Sequence, residues 1–262
     1  MASAAQQQSL PLFYKDLIPL NSKEHADWKT KSMDDAKFME GQHAIPLTIE
    51  EFVSAGRHFP IIFSDSENPV PLVLMGLNEG VNIFMDDNAK FTSPVYLPAY
   101  IRRYPFLLAR LNPESEELSL CFDPTSEAVG EMKKAKDAQP LFEDSKPTEN
   151  TQNILKFCED FEQAGARTQA FMEELIKLDL LMDGEVSITQ AGNDKPFVYR
   201  GFKMVDEEKL RDMNGDKLRK INQNGMLPLI HAHLFSLQLM RDIFAQQVQQ
   251  GKMPQVTQAP SV

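Results

Sequence analysis

Apolar residues are spaced in two different ways along this chain, and the change falls near its middle. Over residues 11–125 they come in short runs broken by polar turns, the spacing of strands. Pro60-Ile61-Ile62-Phe63 and the run from Val70 to Leu77 flank Ser64-Asp65-Ser66-Glu67-Asn68-Pro69, which predicts a hairpin. Asn82 to Met85 and Lys90 to Ser93 flank Asp86-Asp87-Asn88-Ala89, which predicts a second. Leu118 to Phe122 reads as a further strand. One helix is expected here, over about 49–57. Thr48 and Glu51 have the spacing of a capping box ahead of Phe52, Val53 and Ala55.

The second half has helical spacing. Ile154, Phe157, Cys158, Phe161, Ala164, Thr168, Phe171, Leu175 and Leu178 recur at three- and four-residue steps. They predict one long amphipathic helix, with a break expected near Gly165. Val186, Ile188 and the run Phe197 to Val205 flank Ala191-Gly192-Asn193-Asp194 and predict a hairpin region. Short helices follow over Asp206 to Met213 and Asp216 to Asn222, punctuated by Asn214-Gly215 and Asn224-Gly225. Pro228 opens a terminal helix with Ile230, Leu234, Leu237, Met240 or Arg241, and Phe244 on its mostly apolar side.

Between the halves, residues 126–147 are rich in charge, Pro and Ser, and read as a linker with a helical turn near Glu127 to Ala135. Residues 1–10 and 251–262 read as flexible tails. The expected fold is α+β: a strand-rich N-terminal half, with a mostly helical C-terminal half (148–250, including the hairpin) packed on it as one compact unit.

Composition narrows the function classes. A formal net charge of −11 repels phosphate backbones and anionic membrane surfaces, so no nucleic-acid partner is expected. No stretch approaches the roughly 18–20 apolar residues of a membrane span. The start MASAAQQQSL has neither the basic residues nor the apolar core of a signal peptide. Cys121 and Cys158 stand apart from each other and from other ligand-type residues, which suits reduced thiols. A soluble, cytoplasmic protein is the expectation.

The least ordinary segment is Pro94 to Leu108, PVYLPAYIRRYPFLL. Three prolines, three tyrosines and the pair Arg102-Arg103 interrupt an apolar run and suit neither a regular helix nor a regular strand. Within it, YLPAYIRRYPF resembles a signature of the SapC-like family of bacterial proteins. The resemblance extends in order through FYKDLIPLNSKEH (from Phe13), IPLTIEEF (from Ile45), FPIIF (from Phe59), PLVLMGL (from Pro71) and NIFM (from Asn82). It continues through QPLF (from Gln139), FEQAGARTQAF (from Phe161), GFKMVDEEKL (from Gly201) and HAHLFSL (from His231).

The resemblance implies a bacterial origin and a name taken from a surface-layer system. Relatives are often encoded near TonB-dependent receptors, halogenase-like proteins and cupin-like proteins. Transport labels attached to some relatives find no support here, because a permease needs spanning helices. The resemblance brings no catalytic residues with it.

Three constellations carry candidate chemistry. His25-Ala26-Asp27 has the HxD spacing of a non-haem iron triad, which His231 or His233 would complete; Fe(II) bound by His25, Asp27 and His233 is the metal alternative. His231 and His233 together make a poor metal pair, since helical residues two apart point to opposite sides. Arg102 and Arg103, with Tyr96, Tyr100 and Tyr104, form the leading candidate binding surface. The arginines would pin an irregular segment, take an anion, or meet a partner. If Pro98 opens a short helix, Tyr100 and Tyr104 share a face.

The chain carries no phosphate-binding glycine loop, dinucleotide fingerprint or nucleophile elbow. The expectation is therefore a non-catalytic accessory protein that binds a protein or peptide partner in a cell-surface or nutrient-uptake pathway. An iron oxygenase acting on a peptide or metabolite, and a binder of a small anionic ligand, are the alternatives.

Overall fold

A computed structural model describes residues 10–33, 35–112, 117–132, 135, 137–189 and 196–252. The two expected tails lie outside the described residues except for Leu10, Gly251 and Lys252, as does Ala191-Gly192-Asn193-Asp194, where a turn was expected.

In chain order the first half contributes β1 (Ile18–Pro19), β2 (Lys29–Thr30), β3 (Ala44–Pro46), α1 (Phe52–Ala55), β4 (Ile61–Ser64), β5 (Pro71–Leu74), α2 (Ala99–Arg102), β6 (Phe106–Arg110) and β7 (Leu118–Phe122). Next come β8 (Val129–Gly130), β9 (Gln139–Pro140), β10 (Phe142–Glu143) and β11 (Lys146–Pro147). The second half holds α3 (Glu149–Lys177), β12 (Leu181–Asp183), β13 (Val186–Ile188), β14 (Phe197–Tyr199), β15 (Phe202–Val205), α4 (Glu207–Arg211), α5 (Gly215–Gln223), α6 (Met226–Ser236) and α7 (Leu239–Gln249). The class is α+β, with strands dominating the first half and helices the second.

The chain divides into two compact units, each built from separated stretches. One takes residues up to 34 and 102–162; the other takes 35–101 and 163 onward, so the division falls within α2 and α3.

In the first unit, β1, β7 and β6 form an antiparallel sheet, and β8, β2 and β9 form a second. Phe106, Phe122, Val129, Leu141, Phe142 and Cys158 make the core, flanked by Ile18, Trp28 and Ile154. Segment 126–147 thus carries four short strands and three core residues. Where a helical turn was expected, Val129–Gly130 pairs with Lys29–Thr30. Its apolar residues come at most in pairs, Ala128-Val129 and Leu141-Phe142, among charges, too short to mark strands in sequence. Thr148 and Thr151 tie it down by donating to Pro140 O (2.8 Å) and Leu141 O (2.6 Å).

In the second unit a five-stranded antiparallel sheet runs β12-β15-β4-β5-β3. The hairpin β4–β5 forms as its turn composition predicts, with Ile61 opposite Val73 and Phe63 opposite Pro71. The second expected hairpin is a tight turn with a single bridge, Met85 to Phe91. Asp86 Oδ1 accepts the N–H groups of Asn88 and Lys90, each at 2.9 Å, so the turn satisfies its own donors and needs no ladder. β13 and β14 pair as the expected third hairpin.

α3 runs unbroken through Gly165; one glycine costs about 1 kcal/mol, too little to stop a helix of eight turns packed along one side. The expected terminal helix is two helices, α6 and α7, divided at Leu237-Gln238. Ser236 sits at the division. Its hydroxyl donates to His233 O (2.6 Å) and accepts Ile61 N–H (2.9 Å), drawing the helix end to β4. α7 grips the loop after β5. Gln247, fully buried, accepts Leu77 N–H (3.1 Å) and donates to Asn78 (2.8 Å), while Lys252 reaches Asn82 O (2.8 Å).

Candidate functional site

The Pro94–Leu108 segment is irregular but firmly held. A 3₁₀ turn over Ile49–Glu51 leads into α1 with its capping box in place. Glu51 is buried at 5% exposure. One carboxylate oxygen accepts Thr48 N–H (3.1 Å) and the Thr48 hydroxyl (2.8 Å); the other accepts the Tyr96 hydroxyl (2.9 Å) and Ala99 N–H (2.6 Å). A carboxylate out of water is tolerable only with such a donor set, and here the set also pins segment 96–99 to the capping turn. Thr168 adds a brace by accepting Ile49 N–H (3.0 Å) while donating to Ala164 O (2.7 Å), and Arg167 closes on Glu50 at 2.5 Å.

Beside this bracing lies a shallow, open pocket of about 400 Å³ lined by Ser54, Arg57, His58, Pro94, Val95 and Tyr96. The helical turn carries past α1, with Gly56 N–H bonded to Phe52 O (2.9 Å) and His58 N–H to Ala55 O (2.9 Å). Steps of three and four therefore bring Ser54, Arg57 and His58 to one side. Opposite them stand two apolar residues and a tyrosine ring. Of the five residues first singled out, Tyr96 alone lines this pocket.

Of the others, Tyr100, Arg103 (8% exposed) and Tyr104 are buried and Arg102 is not. The Arg103 guanidinium lies 4.2 Å over the Phe161 ring and 3.6 Å from Glu162. Arg102 is exposed, yet its guanidinium lies over Phe157 at 5.3 Å. Phe157 and Phe161 are one turn apart on α3, so the arginine pair stacks on a stripe of that helix. Burial pushes the Glu162 carboxyl up from its ordinary range, against the pull of Arg103. The contacts of buried Arg103 are those that pinning would use.

α2 ends at Arg102, so Tyr104 lies beyond it and does not share a helical face with Tyr100. The Tyr104 hydroxyl donates to Asp123 (3.4 Å), its ring meets Phe13 and Tyr14 edge-on, and burial pushes its pKa up. Asp123 is itself fully buried and accepts Lys15 N–H (2.8 Å), Thr125 N–H (2.9 Å) and the Thr125 hydroxyl (2.7 Å). The Tyr104-Pro105 peptide is cis.

Arg103→Ala is expected to lower the unfolding free energy by about 2 kcal/mol, because it removes a stacked, ion-paired group and leaves Phe161 uncovered. Urea denaturation checks this; an unchanged midpoint would show that the contact contributes nothing.

The histidines named as metal ligands are engaged in packing. His25, 4% exposed, accepts Asn21 N–H at Nδ1 (3.0 Å) and packs edge-on to Trp28 and Phe122, while Asp27 is exposed. His233 has no exposure, stacks on Phe63, and uses both ring nitrogens: Nδ1 meets Ile61 O (2.8 Å) and Nε2 accepts Val205 N–H (3.1 Å). A ring so engaged has no lone pair left for Fe(II). Burial lowers its pKa to about 4. His231 stacks instead on the exposed Phe235. Among the described residues no three His, Cys, Asp or Glu side chains gather around a point that could hold a metal. Cys121 and Cys158 are buried thiols, with burial pushing Cys158 up to about 12.

Sequence reading missed Ser54, Arg57 and His58 as lining residues, while Pro94 and Val95 fall inside the block it singled out. The only signal was an Arg-His pair just past a capped helix, and nothing local joins it to a segment some forty residues on.

Among the described residues no helix is long and apolar enough to cross a membrane. No curated protein and no solved structure matches the chain significantly. A family model described as SapC matches residues 20–243, a span that holds the pocket, both arginines and their helix. The chain belongs to the SapC family.

Proposed function

We propose that this protein is a non-catalytic binding protein that docks a protein or peptide partner on the face around Ser54, Arg57, His58 and Pro94–Tyr96. The observation that carries the reading is the pocket itself. It is open and shallow, the shape that suits a side chain or short segment of a larger partner. Its tyrosine wall is held by Glu51, so little ordering is lost on binding. Tyr and Arg are the residue types that most often anchor such contacts. The net charge of −11 supports a partner other than nucleic acid. An accessory role in a bacterial cell-surface or nutrient-uptake pathway, exercised from the cytoplasm, fits the family resemblance and completes the reading.

The test is selection of a displayed library of short random peptides on the whole protein, with Ser54→Trp as counter-bait. Ser54 is exposed, so tryptophan fills the pocket without disturbing the core. Peptides enriched on the natural protein and lost on the variant are expected; equal enrichment on both would sink the proposal.

A further inference from the structure

We infer that the pocket recognises a carboxylate on an acidic, extended peptide, gripped by Arg57; this rests on the reading of that face as a peptide-docking surface. Several exposed cations in this acidic chain close on carboxylates of their own, as Arg167 does on Glu50, Arg200 on Glu185 and Lys209 on Asp179. Arg57 does not. Among the described residues no ion pair or hydrogen bond occupies its guanidinium, although the chain holds 38 acidic residues to 27 basic ones.

The carboxylates nearest in sequence are already spent. Glu50 is paired with Arg167, and Glu51 is buried behind Tyr96 with four donors on it. A guanidinium is thus presented in a concave site with its donor fork unused, beside the imidazole of His58 and the hydroxyl of Ser54. That fork matches a carboxylate bidentately. The opposite wall, Pro94, Val95 and the Tyr96 ring, offers apolar contact for the stem that carries the charge.

The chemistry favours a carboxylate over a phosphate. A single guanidinium balances one negative charge, whereas a dianion in a protein of charge −11 would need further cations that the lining lacks. The overall charge does not forbid an acidic ligand, because charges beyond about 8 Å are largely screened at physiological salt and the contact pair decides. A tethered carboxylate also suits a site too shallow to enclose a free metabolite.

Synthetic versions of the selected peptides supply the probes, with binding read by fluorescence anisotropy. The expected peptides share an Asp or Glu. Changing it to Asn or Gln weakens binding about tenfold, and Arg57→Gln costs the same. Combining both changes costs little more than either alone, since one contact is broken in every case. Peptides that Ser54→Trp blocks but Arg57→Gln leaves at full affinity overturn the carboxylate and leave the docking face standing. Failure to obtain any peptide that Ser54→Trp blocks overturns both. Arg57 and Ser54 are exposed, and unchanged urea midpoints for the two variants verify that the fold is intact.

Discussion

Glu51→Ala is expected to be among the most damaging single changes in this protein, lowering the unfolding free energy by about 4 kcal/mol. The loss is not one hydrogen bond but a shared acceptor. Thr48 N–H, the Thr48 hydroxyl, Ala99 N–H and the Tyr96 hydroxyl all end on this one carboxylate. Each buried donor left without a partner costs about 1–3 kcal/mol, and some relaxation toward water keeps the total below the sum. Glu51→Gln should fall between, because its amide offers one acceptor oxygen where the carboxylate offers two. Urea denaturation measures both variants. A loss under about 1 kcal/mol for the alanine variant would mean that segment 96–99 is held by other contacts. The same variant should also weaken peptide docking, because Tyr96 forms a wall of the pocket and would lose its anchor.

The second large effect depends on pH. His233 is fully buried, and its pKa is about 4 in the folded chain against the ordinary 6.5. Desolvation is the main cause, opposed by the bond to Ile61 O. Below pH 6.5 the unfolded chain takes up a proton that the folded chain refuses. Stability from this group is therefore complete above pH 6.5, falls as pH drops toward 4, and is lost below that. At about 1.4 kcal/mol per pKa unit, the loss comes to about 3 kcal/mol. Denaturation curves at stepped pH on the natural protein and on His233→Gln separate this component from that of the carboxylates. The glutamine keeps a donor and an acceptor but does not titrate. The natural protein is expected to show the steeper decline between pH 6.5 and 4. Equal declines would show that His233 is not the responsible group.

Local pattern was a good guide wherever an element satisfies itself. The capping box at Thr48 and Glu51, the β4–β5 hairpin and the helical character of α3 follow from residues close in sequence. It failed where a side chain far away decides. The terminal helix divides at Ser236, whose hydroxyl serves a β4 amide 175 residues earlier. The presumed connection at 126–147 pairs with β2, nearly a hundred residues before it. Gly165, by contrast, suggested a break that the rest of the helix overrides.

The candidate site divides in the same way. The Pro94–Leu108 block was visible from composition, because three prolines and paired arginines in an apolar run fit no regular element. Its family membership was visible as well. Which of its residues line an open pocket was not. Arg102 and Arg103 are spent on Phe157 and Phe161, and Tyr104 on Asp123, all through long-range contacts that no spacing announces. The HxD motif shows a related limit of sequence: two-residue spacing reports which side chains share a side, not what their ring nitrogens already bond. His25 receives Asn21 N–H, and His233 is held at both nitrogens.

The amino-acid sequence by itself determined the α+β class, the family and the position of the odd segment, since each depends on periodicity or composition over a short window. Only the tertiary structure decided that Arg57 and His58, rather than the arginine pair, are the basic residues in an open pocket. Whether a charged side chain is engaged or available depends on partners brought together by folding, and sequence distance carries almost no information about them.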